Sequence, residues 1–492
     1  MNKGTLLSSD AQIATQPASG QPPLIVDLDG TLARTDTLHE AMLGFAAEHP
    51  MRLFDLVRWL KQGKAQFKDR LASEVMTQPD TLPLNKDVLA LIQTAKNEGR
   101  EVHLVSASDH RQVEAVADHL GLFDSAMGSD RLRNLSGQAK ADFLVETFGA
   151  GGFDYVGDNS VDMAVWAKAR RAITVGADGK LRSAVEGLEA EAIHISPPMP
   201  KAERARVHLK ALRPHQWLKN LLVFVPALAG HELGAFGPSL LAFFVFCLTA
   251  SSIYLINDML DLDVDRRHPR KCKRPFAAGT IPVAEGALVA IGLLSVAAIT
   301  ALILDPLFFL VMLGYVVLTT LYSLVLKRRL MVDIWALAAL YTLRIVAGAV
   351  AAGLLLSGWL LAFSMFLFLS LAAVKRQSEL ADLKKRGLVE TDGRAYHVDD
   401  LPVVLGAALA SGYCSVLVLA LYISNAQVMG LYETPGLLWL VCPLLLYWIS
   451  RAIMISWRGK MDDDPILFAV KDRVSLIIFA SSALLFVLGA VV

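Results

Sequence analysis

Cysteine is scarce and scattered in this chain. Cys247, Cys272, Cys414 and Cys442 form no CxxC pair and no closely spaced framework, so neither a disulfide scaffold nor a zinc site is expected. Net charge is lacking as well: 47 basic residues balance 47 acidic ones, and bulk electrostatics gives nucleic acid no reason to bind. The first residues do not show the charged-then-apolar order of a secretory signal. Residues 1–21 are rich in Ser, Gln, Ala and Pro and are expected to be a disordered tail. What the later part lacks is polarity. Of 492 residues 54% are hydrophobic, and the excess begins at Leu221. Up to about Pro200 the composition is that of an ordinary soluble protein.

Nine apolar runs follow, at 220–232, 239–256, 284–304, 307–325, 332–353, 357–374, 401–423, 434–451 and 474–492. Runs of this length predict membrane helices, the first being the shortest. Loops 231–238, 305–306, 354–358 and 424–435 contain no Lys or Arg, whereas 266–274, 327–329, 375–386, 451–473 and the entry at 201–219 are basic. That alternation predicts nine spans in a cell membrane, with the basic loops and the soluble half cytosolic and the C-terminus outside.

The second run ends in Asn257-Asp258-Met259-Leu260-Asp261-Leu262-Asp263-Val264-Asp265-Arg266-Arg267-His268-Pro269. Carboxylates at a membrane surface are costly and need a reason. At about 100° per residue, Asn257, Asp258, Asp261 and Asp265 share one helix face, and Asp263 points away. Hard oxygen ligands on one face suit Mg²⁺, which binds a few carboxylates together with substrate phosphates. After the sixth run, Lys375, Glu379 and Asp382 share a helical face beside Arg376. They are a candidate second site for metal and phosphate, against the plainer reading of a basic loop. Arg344 lies inside the fifth run, where a charge faces the bundle interior or a wet cavity. It is a candidate phosphate ligand or one half of an interhelical pair. Tyr322 and Lys327 end the fourth run, and Asp462, Asp463 and Asp464 precede Pro465 in the last basic loop.

In the soluble half, Leu24-Ile25-Val26-Asp27-Leu28-Asp29-Gly30-Thr31 reads as a buried strand delivering two carboxylates at its C-terminal end. Open α/β sheets place their sites there. One acid can attack while the other handles the proton. A second strand ends at Ser106, Lys140 opens a helical pattern, and Phe153-Asp154-Tyr155-Val156-Gly157-Asp158 with Asp162 ends a third strand in acids. The 35–88 insert is mainly helical and reads as a cap. In this order the motifs resemble the haloacid dehalogenase-like (HAD) phosphatases over about residues 22–194. The resemblance implies an α/β Rossmann-like domain with Asp27 as nucleophile and metal ligand and Asp29 as acid/base. It implies Ser106 and Lys140 on the phosphate, and Asp158 on Mg²⁺ with Asp162 in support.

Pro197, Pro198 and Pro200 mark a linker, and 195–212 is expected to hold an interfacial helix. From residue 213 onward the NDxxDxxxD motif on a scaffold of about nine spans resembles the UbiA superfamily of membrane prenyltransferases, an all-α polytopic bundle. That likeness implies Asp258 and Asp261 as catalytic, with Asp258, Asp261 and Asp265 on Mg²⁺ that grips a departing diphosphate. The second motif, Lys375-Arg376-x-x-Glu379, departs from the usual DxxxD. With Arg-Pro-x-Gln-Trp-x-Lys-Asn at 213–220 and His268-Pro269-x-Lys271-x-x-Arg274-Pro275 it is similar to the decaprenyl-phosphate phosphoribosyltransferase branch. The donor implied there is phosphoribosyl pyrophosphate and the acceptor a polyprenyl phosphate. Glu379 would be a further metal ligand. Asn257, Lys219, Arg266, Lys271, Arg274, Tyr322, Lys327, Arg344, Lys375 and Arg376 would bind the substrates. Alternatives are prenyl transfer to an aromatic or other small acceptor, a silent HAD module, and a transporter. The last is disfavoured because the acids lie at the membrane face rather than its midplane. The oligomeric state is not legible.

Overall fold

The computed structural model describes residues 20–131, 133–230, 232–389, 394–425, 430, 432–461 and 464–491. Most of the expected 1–21 tail, and Asp462 and Asp463, lie outside them. The chain divides into two compact units. One joins residues 1–211 to Leu255–Leu288; the other holds Leu212–Tyr254 and Val289–Val492.

The first unit is built on six parallel strands: β1 (Leu24–Val26), β2 (Val102–Asp109), β3 (Ser125–Ser129), β4 (Asp154–Gly157), β5 (Arg171–Val175) and β6 (Glu191–Ile195). Their order across the sheet is β3-β2-β1-β4-β5-β6, so the chain reverses direction at β1. Parallel strands need both faces covered, and β1, β2 and β4 are accordingly buried along almost their whole length, with β1 (Leu-Ile-Val) apolar throughout. Two cores flank the sheet. Leu24, Val26, Val88, Ile92, Leu104 and Val113 fill one, and Ile25, Val105, Leu144, Tyr155, Val165 and Trp166 fill the other. The expected cap forms as three helices, α1 (Thr37–Glu48), α2 (Leu53–Leu60) and α3 (Lys64–Glu74). It has its own core of Phe45, Trp59, Phe67 and Leu71, with Phe45 and Trp59 edge to face at 5.2 Å.

The same unit contains the end of the helix Phe236–Leu260, the short helix Leu262–Arg267, and the start of Val283–Leu304. This acidic segment is fastened to the sheet-bearing part. Arg266 donates to both oxygens of Glu40 on α1, at 2.9 Å through Nη1, and both side chains are buried. The Thr35 hydroxyl donates to the same carboxylate. Gly279 (φ +64°) passes so close that an added Cβ would stand 2.8 Å from the Cβ of Arg34, so the approach requires glycine. The expected helix before the membrane half forms over Lys201–Ala211. Its Arg204 and His208 reach Glu285 at 2.8 and 3.0 Å.

The second unit is helical. Among the described residues, eight helices of the chain are long and apolar enough to cross a membrane, starting with Phe236–Leu260 and ending with Arg473–Ala490. The expected first span at 220–232 is the difference. There the chain is a 3₁₀ segment, Pro214–Phe224, followed by the short helix Val225–Ala229. Pro226 explains the break, since its nitrogen cannot donate to the carbonyl four residues back. The segment lies tightly on Val332–Ala351: an added Cβ on Gly348 would come within 1.9 Å of the Val223 carbonyl oxygen.

Candidate active sites

At the sheet, β1 ends one residue before Asp27, and the reversal of strand order opens a crevice there. Lys140, at the start of the helix Gln138–Phe148, reaches Asp27 at 3.0 Å and Asp162 at 3.8 Å. It also donates to the Tyr155 hydroxyl at 2.8 Å, which donates in turn to Asp162 at 2.9 Å. Asp27, Asp158 and Asp162 bring carboxylate oxygens within 4.8 Å of one another, and no other such group of acid, His or Cys ligands occurs among the described residues. Gly30 (φ +74°) permits this. A Cβ there would meet the Asp158 carboxylate at 2.3 Å.

Burial, then the charges of Asp27 and Asp162, push the Asp158 carboxyl up to about 8. Three acids against one lysine leave negative charge in excess, and a divalent cation is the remedy that matches this donor set. Asp29 has other partners in the crevice. It accepts from the Thr37 amide at 2.7 Å and from the Ser108 hydroxyl. Ser106 stands 3.4 Å from it. Burial and then Asp36 raise Asp29 to about 6, a value suited to giving and taking a proton near neutrality. The cap contributes Lys68, whose Nζ donates to the Ala107 carbonyl at 2.6 Å and to Asn134 at 2.9 Å. A cleft between cap and sheet is lined by Thr37, Ala41, Lys68, Leu71, Ser108 and Gln112.

In the acidic segment, Asn257 and Asp258 sit on the last turns of Phe236–Leu260. Asp261 caps the short helix Leu262–Arg267 with non-helical angles. The helix is therefore kinked, yet the amides of Asp261 and Asp265 still bond to carbonyls four residues back. Asp258 and Asp265 are buried. Arg274 lies between them, donating at 3.2 and 2.5 Å. Its guanidinium stands in the charge position expected for a cation. Asp263 is exposed and faces Thr81 at 3.5 Å, as its position on the helix predicts. Lys271 is half-buried nearby in a 3₁₀ turn.

The second unit assembles three polar groups. Lys219 forms an ion pair with Asp464, which caps the helix Pro465–Lys471. Arg376 is wholly buried and pairs with Asp333 at 2.5 Å and with Glu379. Glu379 takes a second guanidinium from Arg394 at 2.5 Å, and Tyr396 donates to Asp333 at 2.5 Å. Arg344 donates to Asn220 at 2.9 Å, to the Leu340 carbonyl at 2.6 Å and to Tyr315 at 2.8 Å.

A family model described as the UbiA prenyltransferase family matches residues 221–485. The chain belongs to that family. Over 473 residues it is 38% identical to the uncharacterized protein y4nM of Sinorhizobium fredii, covering 95% of this chain and 91% of that one. It is 37% identical over 284 residues to the nodulation protein NoeC of Azorhizobium caulinodans, covering 56% and 91%. It is 32% identical over 281 residues to the decaprenyl-phosphate phosphoribosyltransferase of Mycolicibacterium smegmatis, covering 55% and 88%. This UbiA member is thus a multi-pass membrane protein with a sheet-bearing half, and y4nM is similar along nearly all of it.

Several expected ligands have other partners here. Arg344 spends all three nitrogens on the bundle, as an interhelical strut does. Arg376 and Glu379 neutralise each other together with Asp333 and Arg394, and Arg266 is committed to Glu40. Tyr322 packs between two apolar clusters, and Lys327 is half-buried in the turn Leu326–Arg328. Lys375 is half-buried beside Arg376. Residues that sequence reasoning missed include Glu40, Lys68, Ser108 and Asp333. Only Asp333 carried a signal, being an acid one residue inside an apolar run.

Proposed function

We propose that the membrane half moves 5-phosphoribose from phosphoribosyl pyrophosphate to a polyprenyl phosphate. The sheet-bearing half, an HAD-type phosphatase, then removes the 5-phosphate. The observation that carries this is the fusion. The M. smegmatis relative is named as a phosphoribosyltransferase, and its product class retains a phosphomonoester. The other half of this chain gathers Asp27, Asp29, Lys140 and Asp158 in one crevice. Similarity to y4nM over both halves supports a lasting partnership between them.

In the phosphatase half, Asp27 attacks phosphorus while Asp29 protonates the leaving alcohol. Asp29 then takes a proton from the water that hydrolyses the phosphoaspartyl group. Lys140 holds Asp27 and offsets phosphate charge. Asp27 and Asp158, with Asp162 behind them, would hold Mg²⁺, which when bound stabilises the equatorial phosphoryl oxygens. In the transferase half, Asp258, Asp261 and Asp265, with Asn257 beside them, would hold Mg²⁺ to stabilise the departing pyrophosphate. Arg274 must give up one carboxylate for that, and is then placed to bind phosphate. Lys219, Lys271, Lys327 and Lys375 supply further positive charge for two phosphorylated substrates. The alternation of basic and uncharged loops supports a cytosolic position for both centres at the cell membrane.

Purified protein given labelled phosphoribosyl pyrophosphate, polyprenyl phosphate and Mg²⁺ should form lipid-linked ribose. Absence of any lipid-linked sugar refutes the transferase reading. If Asp27→Asn and wild type retain the 5-phosphate equally, the coupling is refuted. The family description also fits prenyl transfer to a small acceptor, and label passing from a prenyl diphosphate to such an acceptor would favour that.

A further inference from the structure

The cap helix α2 has apolar side chains on two faces. Trp59 is buried and Leu56 half-buried against the cap core. On the other side Phe54 is 87% exposed, Val57 56% and Leu60 55%, and Met51, just before the helix, is 92% exposed. On a 3.6-residue period Leu53, Phe54, Val57 and Leu60 form one stripe. Such a contiguous apolar patch on a soluble domain marks a binding surface. Around it stand Arg58, Lys61 and Lys64, all exposed. No ion pair neutralises these three among the described residues, whereas Arg52 is bound to Asp55 and Glu74 at 3.0 and 2.9 Å.

We infer that α2 lies in the surface of an anionic bilayer, with Phe54 and Val57 among the acyl chains and Arg58, Lys61 and Lys64 at the lipid phosphates. An apolar stripe edged by long cations is the pattern of an interfacial helix. The occupant follows from the chain itself. The unit that carries α2 also contains the ends of two membrane-crossing helices, Leu255–Leu260 and Val283–Leu288. Its α1 is pinned to the segment between them by the Glu40–Arg266 pair. The cap is thus tethered at a membrane surface, where a lipid face is always within reach. The docking does not depend on the phosphatase reading. If that reading also holds, it would present the cleft at α3 to lipid-linked phosphomonoesters.

The full chain, reconstituted in vesicles of zwitterionic lipid with about a quarter anionic lipid, tests this. Benzoylphenylalanine is placed at Phe54 or Val57 and, as a control, at Glu98, exposed at the end of the helix Lys86–Asn97 that leads into β2. Light should attach labelled phospholipid at 54 and 57 about five-fold more than at 98. Hydrogen exchange of residues 51–61 in the unmodified protein, which needs no substitution, should slow about three-fold relative to purely zwitterionic vesicles. Lipid attachment at 54 and 57 no greater than at 98 overturns the inference. So do cross-links to a second copy of the chain in place of lipid, and exchange that is indifferent to anionic lipid.

Discussion

At the scale of single residues, the crevice at β1 makes sense as a place short of one cation. Burial and mutual repulsion raise Asp158 to about 8 and Asp29 to about 6. A carboxyl whose folded value exceeds its unfolded one binds its proton more tightly when folded. Its contribution to stability is therefore present at low pH and is lost as pH rises from about 4 through those values. A metal that binds the ionised acids reverses this. Mg²⁺ should accordingly slow hydrogen exchange of the β1 amides strongly at pH 8 and weakly at pH 5. Equal protection at both would show that no metal is held by Asp27 and Asp158. Gly30 offers a second check. Alanine there must both adopt a positive φ and displace the Asp158 carboxylate. Gly30→Ala should lower phosphomonoester hydrolysis by about 100-fold through misplacement of the site, with far-ultraviolet circular dichroism unchanged. The positions of Asp27, Asp29 and Asp158 just past strand ends were legible beforehand because a strand end fixes where its next side chains go, and Lys140 was legible as the opening of a helix. Thr37 and Ser108, which hold Asp29, were not, because their role depends on how the cap entry folds back over β2.

At the scale of elements, what the sequence announced was where charge and apolar runs stand, and what it hid was which charges meet. The long helices appear where the apolar runs predict them. The exception at 220–232 is instructive. Within that run the chain has only five residues of 3₁₀ helix, 220–224, and five of α-helix, Val225–Ala229, which rise about 18 Å together, well short of a bilayer's hydrocarbon core. Hydropathy reads apolar length and is indifferent to which helix supplies it. Long-range ion pairs were illegible for another reason: Glu40 and Arg266 are far apart in sequence, and neither is unusual where it stands. Their pair is buried, and removing one partner leaves an uncompensated charge. Arg266→Ala should therefore destabilise the first unit by about 3–5 kcal/mol, and the double exchange Glu40→Arg with Arg266→Glu should recover part of that. Urea unfolding followed by hydrogen exchange at α1 measures both. A loss below 1 kcal/mol would mean that α1 and the acidic segment are held by packing around Gly279 instead.

At the scale of the whole molecule, the proposed function puts two reactive centres on one chain, and the proposed order of reaction makes their failures asymmetric. If the transferase acts first, Asp258→Ala removes all lipid-linked sugar while hydrolysis of a soluble phosphomonoester persists at the wild-type rate. Asp27→Asn leaves transfer intact and accumulates the 5-phosphorylated lipid. The two variants mixed in separate vesicles should not restore the dephosphorylated product quickly, because the polyprenyl intermediate cannot cross water between bilayers. Combined in the same vesicle they should, because a lipid diffuses in its membrane from one protein to the next. The comparison separates a shared lipid intermediate from an internal transfer. Restoration in the shared bilayer, at a rate that falls as protein is diluted with lipid, requires release of the intermediate. No restoration, even though each variant keeps its remaining activity, requires that the sugar phosphate pass directly within one chain, from the segment around Asp258 to the crevice at Asp27.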